Sequence, residues 1–456
     1  MACYDGRIIY QHMQGFIFEY SNTAGATDTD LANIYEQMGS YTEKLRSVIA
    51  EEEPYTHPES SINLPADTAY INTIKDTATL YQSETLRYIL VIGIGGSNLG
   101  TKAVYDALYG SLDMLKPDRL PKIIFLETVS PTLMIDLQFI LSGLNSPEEI
   151  LITVISKSGG TTETISIFES VWAYVHEVLG DIRSRIVMIT DKDSGLWKNA
   201  EEKGIANLPV PAIVGGRYGV FSAMGLFPLA VAGVDILAFT EGARDMRDWC
   251  LGSANQYTDN YPCLGAGIIY INRQRGIRVN NNFFFNVQME SMGKWYRQLM
   301  GEGTGKELNE KEEKIREGIL PIVSIGSTDL HALGQLYLGM QTDILTQFVY
   351  IPEDCPDIAV PVDPFLTNLV PMATGKKFRT ILDAILGGIK GAYISKGMPY
   401  SQITLTECSP YMLGLYMQFK MLEMMYLCKM LDVDAFSQPN VDDYKKITAE
   451  ILQNQK

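Results

Sequence analysis

The sequence is poor in histidine and lacks paired cysteine motifs, and both shortages narrow the chemistry. Four histidines occur in 456 residues, His12, His57, His176 and His331, with no HxH or HxxxH pair. No metal site built on histidine is expected from such a set. The six cysteines, Cys3, Cys250, Cys263, Cys355, Cys408 and Cys428, form no CxxC motif. That argues against a disulfide framework or a thiolate zinc site and fits reduced thiols. Positive charge is scarce as well. Lys and Arg number 37 against 54 Asp and Glu, a formal net charge of −17. Nucleic-acid backbones and anionic membrane surfaces are therefore poor partners. No apolar run reaches the roughly 18 residues that span a bilayer. The opening MACYDGRIIYQHMQ contains no uncharged stretch of signal-peptide length. A cytoplasmic location is the expectation.

What is present is an ordinary globular balance. Hydrophobic residues make up 46% of the chain, enough to bury a large core without cross-links. An acidic chain that binds an anion must gather its few cations locally. Lysines and arginines inside glycine-rich loops are the places to look.

Residues 1–80 read as a helical, peripheral extension, with Leu31, Ile34, Met38, Tyr41, Leu45 and Ile49 at helical spacing. Four β-branched runs follow, Tyr88–Ile94, Lys122–Leu126, Ile150–Ile155 and Arg185–Thr190, each separated from the next by an amphipathic segment. That alternation predicts parallel βαβ units in a sheet covered on both faces. A second such region has strands at Ile319–Ile325, Gln347–Ile351 and Gln402–Leu405, with helices at Lys377–Ala392 and Pro410–Leu431. The expected fold class is α/β, with two domains that each hold a largely parallel sheet between helical layers. Residues 81–240 form the first and 276–432 the second. A helical connection, 241–275, joins them, and 433–456 is a helical tail.

Two loops at strand ends point to an anion. Gly93-Ile-Gly-Gly-Ser-Asn-Leu-Gly100 follows the first run, and Ser156-Lys-Ser-Gly-Gly-Thr-Thr-Glu-Thr164 follows the third. Glycines let the backbone approach a ligand, and the helix start beyond offers free N–H groups. The first loop fits neither GxGxxG nor GK[ST], which disfavours dinucleotides and nucleotides. The second loop offers hydroxyls at Ser156, Ser158, Thr161 and Thr162 and the Lys157 ammonium, which with Ser97 and the loop amides could surround a phosphate. Taken singly, the Ser and Thr residues are equally readable as turn or capping residues.

Four further segments carry single reactive groups. Gly215-Gly216-Arg217 offers a forked cation for a developing oxyanion. Gln298-Leu-Met-Gly-Glu302-Gly-Thr-Gly305 reads as a loop leaving a helical Phe283–Tyr296 segment, its glycines freeing one carboxylate to act as a base. Ser327-Thr-Asp-Leu-His331 looks like a helix start that places a histidine in its first turn. Gln438-Pro-Asn-Val precedes a final helix bearing Lys445. By spacing alone each of these is more readily a solvated or structural residue.

Taken in order, GIGGSNLG, SKSGGTTET, GGRYGVFSAMGLFPLA, GKWYRQLMGEGTGK, STDLHALGQ and FSQPNVDDYKK resemble the phosphoglucose (glucose-6-phosphate) isomerase family, above all its shorter bacterial form. The likeness runs from residue 93 to 446. It implies two sugar-isomerase (SIS) domains and reversible conversion of D-glucose 6-phosphate to D-fructose 6-phosphate through an enediolate, without a metal or other cofactor. It implies that Ser97, Ser156, Lys157, Ser158 and Thr161 hold the phosphate, with Gly96 and Gly216 at the substrate. Glu302 would move the proton and Arg217 stabilise the enediolate. Gln298 and Gln438 would line the sugar site, and His331 with Lys445 would help open the ring. It also implies a homodimer in which His331 is donated across the interface. Gly160, Gly219 and Gly303 depart from the family, standing where hydroxyl residues are usual. An isomerase of another hexose or amino-sugar phosphate, or a non-catalytic sugar-phosphate sensor on the same domains, are the alternative readings.

Overall fold

The computed structural model describes residues 2–4, 7–9, 15–252, 257–340, 343–366 and 368–454. Two five-stranded sheets organise them. The first is wholly parallel, in the order Lys122–Leu126, Tyr88–Ile92, Ile150–Ile155, Ile186–Thr190, Ala206–Pro209. Ile150–Ile155 is buried at every position, as a strand covered by helices on both faces must be. Ala206–Pro209 is an edge strand that the apolar pattern did not reveal.

The second sheet runs Leu320–Ile325, Val279–Phe284, Ile344–Tyr350, Tyr400–Leu405, Phe16–Glu19. Its first four strands are parallel, and the last is antiparallel to Tyr400–Leu405. Two sequence expectations need correction here. The first 80 residues are not all helical, because Phe16–Glu19 turns alternate side chains into the core and completes the sheet edge. Nor is Phe283 in a helix. It belongs to the central strand Val279–Phe284, and the helix begins at Glu290. Three consecutive asparagines disguise that strand, since Asn is disfavoured in sheets. They are tolerated because Asn282 donates to Asn280 (2.8 Å) and Asn281 accepts from Ser324 (2.9 Å).

Between the sheets lies the helix Pro410–Met430, buried from Met412 to Cys428. An all-round apolar helix has no solvent face to lose. Its one buried ion pair, Lys420–Glu423 at 2.7 Å, is completed by Gln347 and by the Tyr296 hydroxyl, as a charge in such a place requires. The helices Ile236–Leu251 and Tyr261–Gln274 pack on this central helix. A continuous apolar cluster passes from Ile89 and Val91 in the first sheet through Leu413, Tyr416 and Leu422 to Val349 and Ile403 in the second. The last helix, Asp442–Asn454, has no buried residue. No described helix is long and apolar enough to cross a membrane.

Candidate active site

The two anion loops lie side by side because their strands are neighbours, Ile92 pairing with Val154 at the carboxyl ends. Such ends are where open α/β sheets bind ligands. In the first loop Gly95–Ser97 forms one 3-10 turn before the helix Leu99–Tyr109. Asn98 is buried, and its amide donates to the Gly93 carbonyl (2.8 Å) and to Glu127 (3.2 Å), bracing the loop. In the second loop the Ser156 and Thr161 hydroxyls meet at 2.9 Å. Thr161 stands at the N-cap of the helix Thr162–Leu179 yet its side chain makes no capping bond, so that hydroxyl is not committed to the helix. Burial lowers the pKa of Lys157, and Asp191 opposes the shift. Ser158 is exposed at the mouth.

Facing these loops is the helix Glu290–Thr304. The sequence pattern places Glu302 in a glycine-rich loop; it sits instead in the last turn of this helix. Gly301 and Gly303 are helical residues, and Gly303 lets the central helix approach. A Cβ there would lie 3.0 Å from Met424 Cγ. Helical placement puts Gln298 and Glu302 one turn apart on the same face, and Gln298 Nε2 donates to Glu302 Oε1 at 3.0 Å. Arg217 Nη1 donates to Glu302 Oε2 at 3.1 Å. Arg217 is 4% exposed, and its Nη2 donates to the carbonyls of Ala435 (2.5 Å) and Ser437 (3.0 Å). Those bonds bring the segment carrying Gln438 to the arginine. Arg217 Nε and Gln298 Oε1 are buried without a protein hydrogen bond among the described residues.

Glycine is what lets the halves of the site meet. A Cβ on Gly96 would fall 2.2 Å from the Gly216 carbonyl carbon and 2.5 Å from Arg217 N. Real atoms cannot share that space, so Gly96→Ala must push the Ser97 turn away from Arg217. Displacements near 1 Å in a catalytic site cost about 10²-fold. Gly96→Ala is therefore expected to lose most of kcat/KM in steady-state assays, with a smaller fall in Tm.

The departures from the family pattern have different physical settings. At Gly219 the Met224 methyl lies 2.0 Å from where a Cβ would stand, so a serine there requires the Met224 side chain to move aside. At Gly160 a Cβ meets nothing within 4 Å, and a hydroxyl would fit.

Two residues named from the sequence are not brought to the pair within one chain. His331 is exposed on the short helix Thr328–Ala332, beyond a strand of the second sheet, and Lys445 is exposed on Asp442–Asn454. Neither shares a hydrogen bond or ion pair with Glu302 or Arg217. One residue was overlooked. Lys306, 5% exposed, donates from Nζ to the main-chain carbonyls of Glu302 and Gly303. Its signal was a lysine directly after the helix-ending Gly305, where a cation suits the dipole.

Hydroxyls and a lysine at the ends of two neighbouring strands face Glu302, on a helix of the other α/β half, and its partner Arg217, and the chain is similar to isomerases of phosphorylated sugars. The family model described as phosphoglucose isomerase matches residues 69–456. A glucose-6-phosphate isomerase of Lactobacillus delbrueckii subsp. bulgaricus is 30% identical over 82% of this chain and 81% of its own. The solved structure of a hypothetical protein from Thermus thermophilus superposes with a TM-score of 0.81 at 26% identity, covering 96% of this chain and 99% of that one. A glucose-6-phosphate isomerase structure from Chlamydia trachomatis shares the fold, with a TM-score of 0.79 at 18% identity over 97% and 89%. The chain belongs to the phosphoglucose isomerase family.

Proposed function

We propose that this enzyme interconverts D-glucose 6-phosphate and D-fructose 6-phosphate by proton transfer through Glu302. The observation that carries the reading is the convergence of Gln298 and Arg217 on the two oxygens of that carboxylate, beside the anion loops. The remote phosphate, held by Ser97, Ser156, Lys157, Ser158 and Thr161, fixes the position of C1 and C2. The Glu302 carboxylate takes the C2 proton of the open-chain aldose, and the electron pair moves into an enediolate. The same group returns the proton to C1 while the O2 hydroxyl proton passes to O1, giving the ketose. Arg217 stabilises the negative oxygens of the intermediate, while Gly216 and Gln438 line the sugar side.

Ring opening needs a proton delivered to the ring oxygen, and His331 with Lys445 supplies that chemistry in a homodimer. Two features support a second copy. Tyr444, Ile447 and Ile451 form an exposed apolar stripe on a helix that buries nothing in its own chain. The segment before Phe378 exposes Val362, Phe365, Leu369 and Met372, Phe365 completely. Apolar surface of this kind marks a partner interface, and in a closed dimer His331 of the partner subunit can complete the site. We place the enzyme in the cytoplasm.

Purified protein is expected to interconvert the two hexose phosphates in the presence of EDTA. Tight binding of fructose 6-phosphate without turnover would instead identify a sensor. Sedimentation is expected to give a dimer, and a stable, active monomer would overturn the shared-site arrangement.

A further inference from the structure

Glu302 is gripped at two places. Its carboxylate oxygens take bonds from Gln298 and Arg217, and its main-chain oxygen takes one from Lys306. The last carbonyls of a helix lack partners within the helix, and Lys306 Nζ fills two of them, reaching the Gly303 oxygen at 2.9 Å. The ammonium lies among four titratable groups, Arg217, Cys428, Asp434 and Glu302. Burial pushes the Cys428 thiol up to about 12, so it stays neutral at ordinary pH. Burial also raises the Asp434 carboxyl, but hydrogen bonds from Ser437 and the Phe436 N–H outweigh it and hold the group below its usual range. The charge that varies in this cluster is the lysine's own.

We propose that Lys306 is a positioning residue for the isomerisation, locking the main chain at Glu302 and supplying positive charge behind the Glu302–Arg217 pair. The inference rests on the reading of Glu302 as the base. Lys306 touches neither anion loop, so its effect belongs in kcat rather than in KM. Burial, with the neighbouring Arg217, lowers its pKa to about 8. The charge is therefore present below about pH 8 and is lost as pH rises through that value. An alkaline fall in kcat near that pH follows.

The test compares kcat and KM of Lys306→Gln, Lys306→Met and Lys306→Arg across the pH range, beside Glu302→Gln. Lys306→Gln keeps a donor for the carbonyls but not the charge, so it remains interpretable where Lys306→Met fails to fold. The expected result is a loss of about tenfold or more in kcat for Lys306→Gln, with KM within about twofold. The alkaline fall near pH 8 should disappear in Lys306→Gln. In Lys306→Arg most of kcat should return and the fall should also vanish, because arginine does not titrate there. Lys306→Gln with unchanged kcat and an unchanged alkaline fall overturns the inference. Full activity in Glu302→Gln overturns the base assignment instead, so the two failures are distinguishable.

Discussion

Glu302→Gln is expected to lower kcat by about 10²- to 10⁴-fold, the usual contribution of a positioned proton-transfer group. The amide has nearly the same shape and still accepts from Arg217 Nη1 or Gln298 Nε2 through its one oxygen. It cannot take the C2 proton. KM should change little, because the residues assigned to the phosphate lie on other loops. Exchange of the C2 hydrogen with deuterated water, followed by NMR, isolates the step. The unmodified enzyme washes hydrogen in or out of the substrate, and the variant should not. Exchange at the original rate would remove Glu302 from the mechanism.

The second large effect concerns Arg217, which has two jobs that separate by substitution. Arg217→Ala leaves the Ala435 and Ser437 carbonyls and Glu302 Oε2 without their donor, Gln298 still serving Oε1. The stability cost is about 3 kcal/mol, at the low end for breaking a buried pair because the Glu302 side chain is 31% exposed. Arg217→Lys keeps the charge and loses the fork that serves Glu302 and two carbonyls together. It should fold with a modestly reduced Tm, yet lose about 10²- to 10³-fold in kcat, as removal of a preorganised oxyanion donor does. Thermal melts and steady-state kinetics on both variants check the assignment. A lysine variant with full kcat would show that charge alone suffices.

Much of this arrangement was legible in the chain. The first sheet announced itself because Ile89–Ile92, Ile150–Ile155 and Ile186–Thr190 are fully covered strands, and covered parallel strands must be apolar throughout. The anion loops were legible because hydroxyls and glycines cluster just beyond two of them. The strand Val279–Phe284 was not, since its asparagines find partners only once the strand is laid in the sheet, Asn280 with Asn282 along it and Asn281 with Ser324 beside it. The setting of Glu302 was hidden for a related reason. Gly301 and Gly303 signal a loop locally, but the close packing of Gly303 against Met424 favours the helix despite their low propensity. The Gln298–Glu302 pair becomes readable only once that stretch is known to be helical. Lys306 shows the same limit, because a lysine folded back onto its own helix looks in sequence like any surface charge.

The central helix Pro410–Met430 has a consequence for how substrate enters. Many two-domain enzymes admit ligands by swinging one lobe about a flexible linker, which requires an interface thin enough to part. Here one apolar cluster runs through both sheets and that helix, and the helix carrying Glu302 packs directly on Leu99–Tyr109 of the opposite domain. Opening the lobes would part this common interior, so the frame around Glu302 and Arg217 opposes hinge opening. The Gln438 side of the mouth is tied to the same frame, since the carbonyls of Ala435 and Ser437 accept from Arg217, which leaves the exposed Ser158 side as the less encumbered approach.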